Sequence, residues 1–198
     1  MRYRLILILM SLFTLSGNAQ TTRQILDKTA AVVGRKGGAS ARFTITDGKN
    51  TSTSGTVAIK GKKFFASTPE AKVWYDGKTQ WSYMKSTNEV NVSHPTQSQQ
   101  MSMNPYTFIN IYKTGYTMTD KKTGTSHEIH LVAQNQKRTV QELYITVSAQ
   151  YHPTKIRMRQ GKNWTTITIS NFLAKNQPDA TFRFPSKDFP TAEVIDLR

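Results

Sequence analysis

Regular alternation of apolar and polar residues dominates the chain and predicts a protein built mainly of β-strands. Between residues 41 and 92, alternating segments are separated by turns such as Asp76-Gly77, a residue pair preferred in tight hairpins. The same alternation returns between residues 116 and 173. Strands about eight to twelve residues apart, joined by short turns, predict an antiparallel meander of about ten or eleven strands. A sheet of this size curls towards a barrel.

Two segments replace this alternation with patterns typical of helices. Residues 21–33 carry apolar side chains on one face and are followed by Gly34, which predicts a short amphipathic helix. Residues 104–115 begin with Asn-Pro, end with Gly and are mostly apolar or aromatic, which predicts a second helix of about nine residues. A helix this apolar needs an apolar surface to cover. We expect that surface to be the concave face of the sheet.

The first 19 residues have the pattern of a secretory signal peptide. Arg2 and Arg4 precede an apolar run over residues 5–15, and a small residue, Ala19, ends the segment. The run is shorter than the about 20 residues that a membrane-spanning helix needs. We expect export, with cleavage after Ala19, and a single domain formed by residues 20–198. Its last edge strand is expected around Phe182 and Phe184.

Composition and charge narrow the chemistry. The 198 residues include 27 Lys and Arg against 12 Asp and Glu, a net charge of +15, and no cysteine. The lack of cysteine excludes disulfides, a thiolate metal site, a cysteine nucleophile and a lipid-modified cysteine anchor. The positive charge favours anionic partners. Because the basic residues are spread over nearly every strand, the sequence argues against nucleic acid as the partner.

The chain has no pattern typical of an enzyme. The segment His127-Glu128-Ile129-His130 is superficially similar to a zinc-protease motif, but its spacing differs and it alternates like a strand. The sequence has neither a Gly-x-Ser-x-Gly nucleophile turn nor a glycine-rich phosphate loop. Its few acidic residues form no pair suited to acid–base catalysis. We therefore expect a binding protein without a metal or another cofactor.

One predicted hairpin carries a resemblance to a known family. Residues 73–83 read Val-Trp-Tyr-Asp-Gly-Lys-Thr-Gln-Trp-Ser-Tyr and, with residues 88–92, resemble the Asp-Gly-Lys-Thr-x-Trp-x-Tyr hairpin of the periplasmic outer-membrane-lipoprotein carrier family LolA. Residues 41–44, 57–65 and 179–185 resemble further elements of that family in the same order. The similarity covers essentially all of the chain after the predicted signal peptide.

The resemblance implies a fold that is mainly β with two short helices. In such a fold a strongly curved sheet forms an incomplete antiparallel β-barrel, and a helical lid covers it. The implied function is that of a periplasmic monomer whose hydrophobic cavity binds the acyl chains of lipoproteins, or related amphiphiles, and carries them towards the outer membrane. The implied partners are an inner-membrane release complex and an outer-membrane acceptor.

Apolar side chains are predicted to form the cavity and its lid. On the sheet, the residues expected to contact acyl chains are Phe43, Ile45, Val57, Ile59, Trp81, Tyr83, Val90 and Val92. On the lid they are Phe108, Ile109, Ile111 and Tyr112. The same aromatic residues also suit an ordinary sheet core, and the lid segment also suits an ordinary packed helix. The pattern leaves both interpretations open.

The sequence departs from the family at the end of the second strand. There the family's arginine, followed by proline, ties the lid shut by hydrogen bonds, whereas this chain reads Lys60-Gly61-Lys62-Lys63. Lysine lacks the planar five-donor guanidinium, so Lys60 or Lys62 is not an equivalent latch. We expect Lys60, Lys62 and Lys63 either at a solvated hairpin tip or in contact with a partner or a lipid headgroup.

The sequence leaves two other classes of function open. One is a secreted binding module that holds an anionic glycan or a lipid headgroup on its basic surface. The other is an envelope enzyme on a barrel-like scaffold. A cavity of the order of several hundred Å³ favours the carrier, whereas a filled interior favours the glycan module. Carboxylates converging in such a cavity would favour the enzyme.

Overall fold

In the computed structural model, which describes residues 20–49, 51–96, 99–100 and 109–198, a helix precedes twelve strands of a single sheet. The helix α1 spans Thr22–Val33. The strands are β1 Ala39–Thr46, β2 Ser52–Lys60, β3 Lys63–Ser67, β4 Ala71–Tyr75, β5 Gln80–Met84, β6 Glu89–Ser93, β7 Tyr116–Thr123, β8 Ser126–Ala133, β9 Glu142–Val147, β10 Pro153–Gln160, β11 Asn163–Leu173 and β12 Glu193–Asp196.

The sheet consists of two meanders joined through β1 and β11. Its strand order is β12-β6-β5-β4-β3-β2-β1-β11-β10-β9-β8-β7. Neighbouring strands are antiparallel, except that β12 runs parallel to β6. The sheet is strongly curved but open, with β7 and β12 as its edges. The predicted architecture, a strongly curved and mainly antiparallel sheet that forms an incomplete barrel, is confirmed.

Local sequence signals account for α1. The Thr21 hydroxyl accepts a hydrogen bond from the Gln24 N–H at 3.3 Å, and the Gln24 side-chain oxygen accepts one from the Thr21 N–H at 2.9 Å. This reciprocal pair satisfies two backbone donors that a helix start leaves unpaired. At the other end the helix is capped by Gly34. Its buried face, which includes Ile25 and Leu26, packs onto the concave side of the sheet.

The core lies between α1 and the concave face of the sheet. Five residues of β8 and β9 are fully buried there: Ile129, Leu131, Leu143, Ile145 and Val147. Each alternates with a more exposed residue along its strand. This alternation is the period of two expected for strands with one covered face.

The outer face of β3–β6, opposite the concave face, is covered by the C-terminal segment, residues 178–198. The ring of Trp74 packs edge-on against Phe184 and Phe189, with ring centres 5.4 and 5.7 Å away. Tyr83 packs against Phe189 at 4.7 Å, and Phe182 is fully buried. In this half, both faces of the sheet are therefore buried.

The C-terminal segment differs from its sequence prediction. Phe182 and Phe184, expected in an edge strand, lie at the end of a short 3₁₀ helix, Asp179–Phe182, and just beyond it. The prediction was wrong because the alternating phenylalanines pack on the outer face of the sheet without pairing as a strand. The last strand is instead β12, which brings the sheet to twelve strands.

Two predicted elements lie wholly or mostly outside the described residues. The predicted signal peptide, residues 1–19, is one of them. The other is the first part of the predicted second helix, including Phe108. Next to it, residues 109–110 are helical and continue into a 3₁₀ helix, Ile111–Lys113. In the described part of the chain, no helix has the length and apolar character needed to cross a membrane.

Replacing Phe182 with alanine should lower the free energy of unfolding by about 3–5 kcal/mol, because the fully buried ring would leave a cavity beneath the C-terminal segment. Leu197→Ala is the matched control, since Leu197 is 63% exposed and its loss should change the free energy by less than about 0.5 kcal/mol. Equilibrium urea unfolding measures both variants. Equally small losses would show that the segment contributes little to stability.

Candidate functional site

An apolar cavity of about 360 Å³ lies on the concave face of the sheet, over β1, β2, β10 and β11. Its described lining is apolar apart from Gln160 and Thr165 and includes no charged side chain. In the described part of the chain, no group of histidine and carboxylate side chains is placed to hold a metal ion. The chemistry that this cavity offers is the binding of an apolar ligand.

Strand register brings the lining residues together. Phe43 of β1 pairs with Ile169 of β11, and Ile45 pairs with Ile167. Ile167 pairs in turn with Ile156 of β10. Directly paired residues of an antiparallel ladder place their side chains on the same face. The pairing of β1 with β11 and of β11 with β10 therefore builds a continuous apolar floor.

The absence of a side chain at Gly55 allows Phe43 to lie across this floor. Gly55 is paired with Phe43. A Cβ atom at position 55 would lie 2.7 Å from Cζ of the Phe43 ring and 2.2 Å from the Ser67 carbonyl oxygen. Real Cβ contacts are not this short, so only glycine permits the ring to occupy this place.

The side of the cavity that faces away from the sheet is formed by Val33 of α1 and by Ile109. The chain just after Ile109 is tied to α1. The hydroxyl of Tyr112, which is 1% exposed, donates a hydrogen bond to the Asp27 carboxylate. The Arg23 guanidinium donates to the Lys113 carbonyl at 3.1 Å and lies over the Tyr112 ring. We call these contacts the clasp, because they join α1 and residues 109–113 into one cover.

Before residues 101–108, the chain is tied to the sheet. Thr96 and Gln99 form a capping pair, since the Thr96 hydroxyl accepts from the Gln99 N–H at 3.3 Å and the Thr96 N–H donates to the Gln99 side chain at 2.8 Å. The amide of Gln100 donates to the Tyr75 hydroxyl at 2.9 Å, which donates to the Gly77 carbonyl at 2.8 Å. Burial raises the pKa of the Tyr75 hydroxyl, so it stays protonated as a donor.

The predicted acyl-contacting residues fall into two groups. Phe43, Ile45, Val57 and Ile59 line the cavity, together with Ile109 of the predicted lid. Ile111 and Tyr112 are buried beside it in the core cluster. The other four predicted sheet residues, Trp81, Tyr83, Val90 and Val92, do not line it.

Those four residues lie on the outer face of the sheet. Trp81 pairs with Trp74 and Val92, and Tyr83 pairs with Val90. The rings of Trp74 and Tyr83 both contact Phe189 of the C-terminal segment. These residues therefore belong to a second buried layer, which the C-terminal segment covers.

The lysines of the β2–β3 turn contact the C-terminal segment. Lys60 and Lys63 both pair with the Asp179 carboxylate, at 3.0 and 3.1 Å, and Lys60 also donates to the Gln177 carbonyl at 3.1 Å. Hydrogen bonds from Lys60 and then Lys63 hold the pKa of Asp179 below its usual range. Lys62 lies exposed at the turn. Contact of these lysines with a partner or a headgroup stays a prediction.

The cavity includes residues that the sequence analysis did not select. They are Ile156 and Met158 of β10, and Ile167, Ile169 and Phe172 of β11. Their signal was present, because Ile156 alternates with Arg157 and Ile167 with Thr168. The selection of β5 and β6 in their place followed the family hairpin, which lies in the other half of the sheet.

The sequence matches a family model, and the fold matches solved structures. A family model described as outer membrane lipoprotein carrier protein LolA matches residues 12–162. No curated protein matches the sequence. The solved structure of an uncharacterized conserved protein from Thermus thermophilus has the same fold, with a TM-score of 0.60 and 14% identity over 88% of this chain and 98% of that one. A LolA superfamily protein from Nitrosomonas europaea has a TM-score of 0.47 and 12% identity over 85% and 100%.

The Tyr112→Phe and Asp27→Ala variants test the clasp. Each should lower the free energy of unfolding by about 1 kcal/mol, because Tyr112→Phe removes the donor and Asp27→Ala the acceptor of the hydrogen bond between the two side chains. The double variant should lose clearly less than the sum of the single losses, by at least about 0.5 kcal/mol. Urea unfolding of the four proteins in the cycle gives this coupling energy.

Tyr144→Phe supplies the control for this cycle. The Tyr144 hydroxyl donates to Glu142 on the outer face of β9, far from Asp27. Its loss should therefore add to that of Asp27→Ala without coupling. Additive losses for Tyr112→Phe and Asp27→Ala would contradict the clasp.

Proposed function

Because this chain belongs to the family of the outer membrane lipoprotein carrier protein LolA, we propose that it carries lipoproteins, or related amphiphiles, towards the outer membrane with their acyl chains held in the cavity. The observation that carries the proposal is the 360 Å³ apolar cavity beneath a cover tied to α1. The matched family supports lipid or lipoprotein binding as the class of function. The cavity supplies a place for the acyl chain.

Burial of an acyl chain in this cavity would supply the affinity that a carrier needs. If each methylene takes about 30 Å³, roughly the share of one water molecule in the liquid, the cavity of about 360 Å³ holds roughly twelve of them. At about 0.8 kcal/mol each, their transfer from water contributes about 10 kcal/mol before the entropy losses of binding. Binding of this kind is stoichiometric and uses no cofactor.

Such an affinity also implies partners. A ligand moves only towards a site that binds it better, so release requires an acceptor with a more favourable apolar site. We infer an inner-membrane release complex as donor and an outer-membrane acceptor, with the periplasm as the compartment between them. The signal-peptide pattern of residues 1–19 supports this compartment. The carrier is proposed to act as a monomer and without nucleic acid.

The cavity also bears on the two rival functions. A glycan-binding module that used only its basic surface would need no interior space, and about 360 Å³ of apolar space lies in the interior. An enzyme would need polar groups that converge on a substrate, and no carboxylate occurs among the described lining residues. The carrier accounts for both observations.

Filling part of the cavity should weaken the binding of an acylated ligand. Ala41 lines the cavity, so Ala41→Phe would occupy space that the acyl chain needs. Displacement of two methylenes corresponds to about 1.6 kcal/mol, or about a tenfold loss of affinity. The measurement is the affinity of the purified protein for a synthetic diacylated lipopeptide, with bound and free lipopeptide separated by gel filtration.

Thr44→Phe is the matched control on the same strand. Thr44 lies on the outer face, where its hydroxyl shares a hydrogen bond of 2.8 Å with Ser54. The new ring would leave the cavity unchanged, so affinity should stay within about twofold of the unmodified protein. A folded Ala41→Phe variant that binds as tightly as this control would refute the cavity as the acyl site.

A further inference from the structure

We propose that the cavity takes one acyl chain at a time and holds an anionic head at the end of the cavity next to the β10–β11 turn. This inference rests on the proposed function. It adds the orientation of the ligand in the cavity, the number of acyl chains that the ligand inserts and the charge of its head. Three features support it, namely the polarity of the lining, the charge of the surrounding turns and the volume of the cavity.

The described polar lining residues lie at one end of the cavity, which indicates how a bound amphiphile is oriented. Both polar lining residues lie beside the turn that joins β10 to β11: Gln160 is the last residue of β10, and Thr165 pairs with Met158. At the other end, Phe172 and Pro153 line the cavity with apolar surface. An amphiphile avoids burying its polar head among apolar groups. Its chain should therefore point towards Phe172, with its head beside Gln160.

Three turns meet at this polar end: residues 47–51, 135–141 and 161–163. A Cβ atom on Gly48 would lie 3.6 Å from the Trp164 carbonyl oxygen, which places the first turn beside the start of β11. The side-chain oxygen of Gln141 accepts a hydrogen bond from the Gly161 N–H at 2.7 Å, which joins the second turn to the third. The head of a bound amphiphile would therefore emerge among all three turns.

These turns carry an excess of positive charge. They contain four basic residues, Lys49, Lys137, Arg138 and Lys162, and one acidic residue, Asp47, so their net charge is 4 − 1 = +3. The Asp47 carboxylate is engaged within its own turn, where it accepts the N–H groups of Lys49 and Thr51 at 2.9 Å each. The charge around the polar end complements an anionic head, such as a phosphate or a carboxylate.

Charge alone does not choose between the two ends of the cavity. Lys36 and Lys175 lie in the connections next to the apolar end, so that end is basic as well. The polar lining makes the choice, because among the described lining residues the side-chain hydrogen-bonding groups lie at the end beside Gln160. Substitution of Lys36 and Lys175 therefore provides a matched control, because it changes the charge by the same amount at the apolar end of the cavity.

The volume sets the number of chains. About 360 Å³ has room for roughly twelve methylene-sized groups, which is most of one common acyl chain and far less than two. A ligand with several chains would leave the others outside the cavity. The proposed ligand is therefore an amphiphile that inserts a single chain.

The test compares amphiphiles with the same 14-carbon chain and different heads. The probes are myristate, lysophosphatidylglycerol, uncharged monoacylglycerol and two-chain phosphatidylglycerol, and titration calorimetry measures their affinity for the exported protein. The two anionic single-chain probes should bind about tenfold more tightly than monoacylglycerol at low salt, and this advantage should shrink at high salt. Preference for one of these two probes identifies the head as a carboxylate or a phosphate. Phosphatidylglycerol should bind no more tightly than its one-chain counterpart.

The double variant Lys49→Glu/Lys162→Glu should abolish the anionic preference and leave monoacylglycerol binding unchanged. Lys36→Glu/Lys175→Glu should keep the preference. The inference would be overturned if the unmodified protein bound anionic and uncharged probes equally, or if only Lys36→Glu/Lys175→Glu lost the preference. Either result would leave the proposed carrier function standing. Tighter binding of phosphatidylglycerol would overturn the single-chain part. If none of the probes bound, the proposed function itself would fail.

Discussion

The pairing of β1 with β11 is the interaction on which the rest of the molecule depends. It joins a meander formed early in the chain to one formed late, from Ser40 opposite Leu173 to Thr46 opposite Thr166. The same register sets Phe43 and Ile45 beside Ile169 and Ile167, and so makes the floor of the cavity. It also brings the β1–β2 and β10–β11 turns to the same end of the sheet. A slip of one residue would turn these apolar side chains to the outer face.

Uneven covering of the sheet explains why a cavity forms. Over β8 and β9 the concave face is filled, since Leu131, Leu143 and Ile145 are fully buried in the core cluster that also contains Ile25 and Leu26 of α1. Over β1, β10 and β11 the described part of the cover consists of the end of α1 and the segment at Ile109, and a cavity of about 360 Å³ lies beneath it. An apolar space of this kind is costly to the folded protein, at roughly 20 cal/mol for each Å² of its surface. An acyl ligand would recover that loss, which links the stability of the fold to occupancy.

The sequence was informative wherever one face of a strand is buried. Alternation selected Phe43, Ile45, Val57 and Ile59, which line the cavity, and it predicted the curved sheet. It did not show that Trp81 and Tyr83 lie on the outer face of the sheet. Because β3–β6 are buried on both faces, alternation there cannot distinguish the concave face from the outer one. The contact between Asp27 and Tyr112 joins residues 85 positions apart, and a single sequence carries no signal for such a pair. The same holds for β12, whose four residues pair with a strand about a hundred positions earlier.

Native mass spectrometry of the protein purified from the envelope of its host would show directly whether the cavity holds a lipid. An apolar cavity that functions in transport should retain its cargo through a gentle purification. The expected result is a bound lipid or acylated polypeptide at a ratio of one to one, and the mass of that ligand would identify its class. A protein that carries no ligand, and that takes up no added lipopeptide, would contradict a role of the cavity in lipid transport.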